Sequence, residues 1–183
     1  MRIRLVIVAI VLSGCGIFSR PPNTFYSLQT SGGQAIVPVP ADAPPIGIDG
    51  IELPPGLDRR GVVVREEDGK LDVRGRNQWA GPLEDMVIHT LAFNLARRLP
   101  EGMVVLPGQA KPAGAMRSIF IVFEELAPGP EPVFVLDARW TMSGTSHHER
   151  ITVPMESLDS DDVVAAMSQS LATLSDRIAA GLS

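Results

Sequence analysis

Cysteine occurs once among the 183 residues, at position 15, so no internal disulfide can form. A domain of ordinary size does not need one. Histidine is scarce too, with only His89, His147 and His148. His89 falls on a predicted helix, off its main apolar stripe. His147 and His148 are adjacent on a predicted strand and therefore point to opposite faces. Neither arrangement gives the paired ligands of His-x-x-x-His on a helix, so no metal site is expected. A Gly-x-Ser-x-Gly elbow is missing, as is a strand followed by a glycine-rich loop and a helix, which removes the usual hydrolase and nucleotide signatures. Glu124 and Glu125 are neighbours on a predicted strand, and as such cannot face one another as paired catalytic carboxylates. Asp58 beside Arg59 and Arg60, and Asp137 near Arg139, read as surface ion pairs. No catalytic residue is assigned, and an enzyme is not expected. The chain also lacks a basic block, and its formal charge is -5. Nucleic acid, which rewards clustered Lys and Arg, is therefore not an expected partner.

The longest apolar run is short. Leu5 to Leu12 are all apolar, behind Arg2 and Arg4 and ahead of Ser13 and Gly14. A membrane-spanning helix needs about 20 residues. A buried core helix would show polar positions at helical spacing, and this run has none. Charge, apolar core and small residues make the layout of an export signal. The stretch Leu12-Ser13-Gly14-Cys15 resembles the lipobox of bacterial lipoproteins. That resemblance implies a signal peptide over 1–14, cut just before Cys15. It also implies diacylglycerol on the Cys15 thiol and a further fatty acyl chain on the new amino group. No other cofactor is expected. Two or three chains, at about 0.8 kcal/mol per buried CH₂, hold a protein on a bilayer effectively for good. Loss of Arg2 and Arg4 takes the formal charge from -5 to -7. Gly16 follows the cysteine, where an Asp often marks inner-membrane retention. Its absence resembles the pattern sent to the outer membrane.

After the anchor, residues 15–45 hold a candidate strand at Phe25 to Leu28 and then a Pro- and Gly-rich stretch, read as a flexible or partly extended linker. The globular domain is placed at 46–183. Ile46 to Leu53 is a strand candidate, stopped by Pro54-Pro55-Gly56. Gly61 to Glu66 and Lys70 to Arg74 flank an Asp68-Gly69 turn and read as a hairpin. From Pro82 to Leu99 the period becomes helical. Leu83, Val87, Leu91, Leu95 and Leu99 recur every four residues, with Pro82 suited to the first turn. Glu84 and Asp85 sit near the positive end of the helix dipole, and Arg97 and Arg98 near its negative end. Met103 to Leu106 is a short strand candidate. Arg117 to Leu126, Val133 to Met142 and His147 to Met155 follow with short turns, as an antiparallel meander. In the second, Phe134, Leu136, Ala138, Trp140 and Met142 share one face, which places Trp140 in the core. Ser160-Asp161-Asp162 caps a last helix striped by Val163, Val164, Met167, Leu171, Leu174 and Ile178. The fold class expected is α+β: an antiparallel sheet (meander) packed against two amphipathic helices as a two-layer sandwich.

In this order the elements resemble a known family. "FYSL" soon after the cysteine, "IGIDGIELPPGLDRRGVVVRE", "NQWAGPLEDMVIHTLAFNLARRL" and "VLDARWTM" are similar to successive segments of the ABC-type transport auxiliary lipoproteins, the PqiC-like family. The likeness runs from Cys15 to the last helix. It implies an outer-membrane lipoprotein of the periplasmic face that works with mammalian-cell-entry (MCE) domain proteins and an ABC transporter. Such assemblies are thought to move lipids between membranes, and some members form homo-oligomeric rings. No catalysis is implied.

Loops between Pro54 and Pro82 carry Leu57, Asp58, Arg59, Arg76 and Trp79, which are the candidate partner-interface residues, since loops and Trp/Arg pairs favour binding. The plainer alternatives are that Trp79 packs under the first helix and that Arg59 binds a carboxylate. Three functions compete. The first is a docking module of an MCE-type system. The second is direct carriage of a lipid between sheet and helices, which needs an apolar cavity. The third is an envelope hydrolase, disfavoured by the missing motif.

Overall fold

A computed structural model describes residues 22–33, 36–40 and 42–182. The residues read as an export signal, 1–14, and Cys15 and Gly16 lie outside the described residues. Eight strands and two helices run in the order β1 (Thr24–Tyr26), β2 (Ile46–Glu52), β3 (Gly61–Arg65), β4 (Leu71–Trp79), α1 (Leu83–Ala96), β5 (Val104–Val105), β6 (Arg117–Pro128), β7 (Val133–Met142), β8 (Thr145–Pro154) and α2 (Ser160–Ala180).

The expected meander is present. β6 pairs antiparallel with β7, and β7 with β8, turning at Ser143-Gly144. Both turn residues have positive φ, 51° and 81°, the conformation a two-residue hairpin loop needs to match strand twist. The α+β two-layer class holds, but the sheet is mixed rather than purely antiparallel. β2 adds to the other side of β6 in parallel, and β5 adds in parallel to β2, giving the order β5-β2-β6-β7-β8. Parallel pairing needs a long crossover, and here β3, β4 and α1 intervene between β2 and its neighbours. A second sheet, ordered β1-β4-β3, joins the β3-β4 hairpin to the amino-terminal strand, which lies parallel to β4.

The helices pack on one face of the five-stranded sheet. Leu83, Val87, Leu91 and Leu95 of α1 and Val163, Met167, Leu171, Leu174 and Ile178 of α2 are buried. They meet Ile119, Ile121, Phe123, Phe134, Leu136 and Trp140 in one continuous core. Burial of a large apolar side chain contributes about 1.5–3 kcal/mol, so this interface dominates the stability of the fold.

The linker takes the extended one of the two forms expected of it, and is fixed in place. Its described parts form an extended strap fixed over both helices. The amide of Gln29 donates to Ser168 Oγ (3.1 Å), that of Ser31 to Asn94 Oδ1 (2.7 Å) and that of Val37 to the Arg98 carbonyl (2.7 Å). Val37 and Val39 pack against the core. Composition left a flexible or a partly extended connection open because it shows no period. It cannot show hydrogen bonds made to distant side chains.

Candidate functional site

The loops from Pro54 to Pro82 divide into supports and presented groups. Leu57 is turned inward by a hydrogen bond from its amide to the Pro54 carbonyl, and its side chain is 5% exposed. Trp79 closes β4, with its amide donating to the Arg60 carbonyl (2.8 Å), and is 4% exposed. Neither presents surface to a partner. Both belong to the core, and their place in the interface set is corrected accordingly: β3 and β4 fold their apolar ends onto the core, which takes Leu57 and Trp79 with them. Asp58, Arg59 and Arg76 are exposed. Asp58 forms no ion pair with Arg59 or Arg60 among the described residues. Arg76 lies in the irregularity of β4 between its pairs with Val62 and Gly61, and Arg59 and Arg60 immediately precede Gly61. Gly61 pairs with Gln78, which pairs with Phe25, and Asn77 pairs with Thr24.

A second polar centre lies on the sheet face away from the helices. A bulge between Phe123 and Glu125 disrupts the alternation of β6. Glu124 and Glu125 therefore both reach the same charged cluster, contrary to the strict alternation expected for neighbours on a strand. Glu124 accepts from Arg139 Nε (2.5 Å), and Glu125 from Arg150 (3.4 Å). Asp137 does not pair with Arg139. It is nearly buried and binds His148 Nε2 (2.6 Å) and Arg150 Nη1 (2.5 Å) across the β7-β8 ladder. Burial works against ionisation of Asp137, but the hydrogen bonds and charges of His148 and Arg150 outweigh it and hold the carboxyl below its usual range. His147 points the other way and stacks on Trp140, ring centroids 3.9 Å apart. One ligand atom each from Glu124, Asp137 and His148 lie within 4.8 Å of one another, so these three residues could hold a metal ion. Arg139 and Arg150 already neutralise the two carboxylates, and a cation would have to displace them. Chemically the cluster is a self-satisfied ion network.

A third feature escaped sequence reasoning. Arg98, one residue in from the end of the predicted helix, is 1% exposed. Its guanidinium donates to the carbonyls of Ser31, Asn94 and Ala172 and forks onto Asp176 at 2.5 and 3.2 Å. It thus ties the strap to α1 and α2. The available signal was spacing: Leu91, Asn94, Leu95 and Arg98 fall on one helical face. Gly33 is fitted to this clamp, for a Cβ there would lie 2.6 Å from Arg98 Cγ.

The family profile for the ABC-type transport auxiliary lipoprotein component matches residues 26–179. The chain belongs to this family. An auxiliary lipoprotein of ABC-type transport is a component of a transport complex at the cell envelope. The family is a transport accessory family, not an enzyme family. No curated protein matches the chain in sequence. Among solved structures, a crystal structure of an uncharacterized protein superposes with TM-score 0.72 at 20% identity, covering 89% of this chain and all of that one. Protein XCC0632 from Xanthomonas campestris, of family DUF330, superposes with TM-score 0.67 at 16% identity, covering 85% of this chain and 92% of that one. At these identities the likeness concerns the fold. For this auxiliary component the matched span takes in β2 to β8, both helices up to position 179 and the strap, and starts at Tyr26, the last residue of β1, eleven residues after Cys15.

Proposed function

We propose that this auxiliary component is an outer-membrane lipoprotein, anchored on the periplasmic face by diacylglycerol and fatty acyl chains on Cys15 after removal of residues 1–14. There it acts as the docking subunit of an MCE/ABC-type intermembrane lipid transport system, without catalysis, in single or ring-assembled copies. The observation that carries the reading is the transport-auxiliary family match across 26–179, joined to the Leu12-Ser13-Gly14-Cys15 segment in front of it. A bilayer tether raises the effective concentration of the domain for a partner spanning the periplasm, so a modest intrinsic affinity suffices. Exposed Asp58, Arg59 and Arg76 supply polar contacts for that partner.

Direct carriage of lipid would need an open apolar space between sheet and helices. Leu91, Phe123, Phe134, Trp140 and Leu171 occupy that layer, which favours docking. Crosslinking in intact cells, followed by identification of the neighbours, tests the reading. An MCE-domain protein is the expected neighbour. Its repeated absence, with the lipoprotein present at native level, would remove the docking role. Mass measurement of the native protein tests the anchor separately.

A further inference from the structure

The two helices share one layer on the five-stranded sheet, but their outward faces differ. α2 exposes Asp161, Gln169, Asp176 and Arg177, with only alanines among them. α1 stays apolar on its outer side. Phe93 is 41% exposed, Met86 and Ala96 are half-buried, and His89 stands exposed between them. Among the described residues, Phe93 is the one exposed large apolar side chain that a helix carries. Phe120 and Leu71, by comparison, lie over Gly50 and Gly56. Side chains three or four residues apart share one helical face, so Asp85, Met86, His89, Phe93, Ala96 and Arg97 form a single stripe down α1. The stripe ends in opposite charges. Asp85, with Glu84 beside it, is at the amino end and Arg97 at the carboxyl end. All three are exposed, and none forms an ion pair among the described residues. At 1.5 Å per residue the two ends are about 18 Å apart, too far to neutralise one another. Glu101 lies past the stop at Pro100, beyond the stripe.

The order of residues along the stripe decides its partner. A two-fold axis at the level of Leu91 exchanges Asp85 with Arg97, Met86 with Ala96 and His89 with Phe93. A second copy of α1 laid antiparallel therefore meets every position with its complement. Carboxylate faces guanidinium at both ends, the long Met86 lies over the small Ala96, and ring meets ring in the middle. A parallel copy would set Asp85 on Asp85 and Arg97 on Arg97. The helix dipoles favour the antiparallel arrangement as well. Self-complementarity of this kind is what a two-fold contact between identical chains requires. The contact is small, since one helix of 14 residues covers only part of the roughly 800 Å² per partner usual in a stable complex. Copies held on one bilayer by the proposed acyl chains meet at a raised effective concentration, which a contact of this size needs.

We propose that the outward stripe of α1, from Asp85 to Arg97, joins two copies of this chain antiparallel about a two-fold axis at Leu91, on the membrane that anchors them. The confinement rests on the anchor reading above. The stripe is separate from Asp58, Arg59 and Arg76, the residues given to the transport partner. Its test uses the lipidated full chain in phosphatidylethanolamine and phosphatidylglycerol vesicles, after intact-mass measurement has established the acylated state. With the native thiol acylated, Met86→Cys and Ala96→Cys each carry a single free thiol. Vesicles holding the two variants together are oxidised beside vesicles holding either one alone. The expected result is a covalent dimer in the mixture, joined from position 86 to position 96. In the antiparallel pair the two copies of position 86 are about 15 Å apart along the axis, as are those of position 96, so neither variant alone should join to itself. Phe93→Ser in both chains should lower the yield. Arg97→Glu in both should cut it roughly ten-fold, for two exposed ion pairs at about three-fold each. Adding Asp85→Lys should restore it. Unfolding midpoints establish that each variant is folded. Absence of the 86–96 dimer from the mixture, with folded and acylated chains, overturns the proposal and leaves the anchor standing. Self-joining of either variant as strong as the mixed product overturns it equally, as does a loss with Arg97→Glu that Asp85→Lys fails to restore. A bare Cys15 in the mass measurement removes the anchor reading and, with it, the confinement on which the pair rests.

Discussion

At the scale of single residues, buried charge carries the sharpest consequences. Arg98 places a guanidinium among three carbonyls and a carboxylate. Removing one partner of such a group leaves the others desolvated without compensation, at about 3 kcal/mol. Arg98→Ala should cost that much in urea unfolding, and Arg98→Lys nearly as much, because a single ammonium cannot reproduce the planar fork. Equal stability of Arg98→Lys and wild type would contradict the clamp. Asp137 gives a pH signature. Its folded pKa is depressed, so the stabilisation it provides is present above the ordinary carboxylate value of about 3.9 and is lost as pH falls through the lower folded value. Urea titrations from pH 6 down to pH 2 should show this acid loss. Asp137→Asn should flatten the acid limb and lower neutral stability by about 2 kcal/mol. An unchanged acid limb in that variant would exclude Asp137 as the group responsible.

At the scale of elements, periodicity and pairing part company. The helices were legible because one stripe of Leu, Val and Ile at 3.6-residue spacing must be buried whatever it packs against. The β6-β7-β8 meander was legible because short turns leave antiparallel pairing little alternative. Nothing local in Ile46–Glu52 says that β2 will enter beside β6 in parallel, since that choice is made by non-local burial of both faces. The same limit hid the bulge at Glu124 and the fixing of the strap, while the interface set mixed buried Leu57 and Trp79 with exposed Asp58, Arg59 and Arg76. Loop composition marks where binding groups concentrate but does not say which of them fold inward. The turn at Ser143-Gly144 tests the local part of this picture. Gly144 holds φ at 81°, and Gly144→Ala should cost about 1 kcal/mol. Ser143→Asn, better suited to positive φ, should cost nothing or stabilise slightly. A neutral Gly144→Ala in thermal unfolding would mean that the turn relaxes to another type.

At the scale of the whole molecule, three things are joined in series: the amino-terminal segment, the strap and the helix–sheet body. The strap is bonded to Asn94 and Ser168 and capped by Arg98, so a tether at Cys15 would hold the domain close to its attachment point. That geometry turns affinity into a question of confinement. For a short tether the effective concentration is of millimolar order. A partner with a micromolar intrinsic dissociation constant would then be almost saturated at the membrane and almost empty in free solution. Cys15→Ser, exported through a cleavable leader, should fold with unchanged unfolding midpoint, because the buried core is built from side chains between Ile46 and Leu182. It should bind the purified partner in solution as well as the wild-type body does. In cells, however, crosslinks to that partner should fall by two orders of magnitude or so, the range avidity supplies. Equal crosslinking by the tethered and untethered forms would mean that the contact is tight without confinement, and that the anchor serves placement alone.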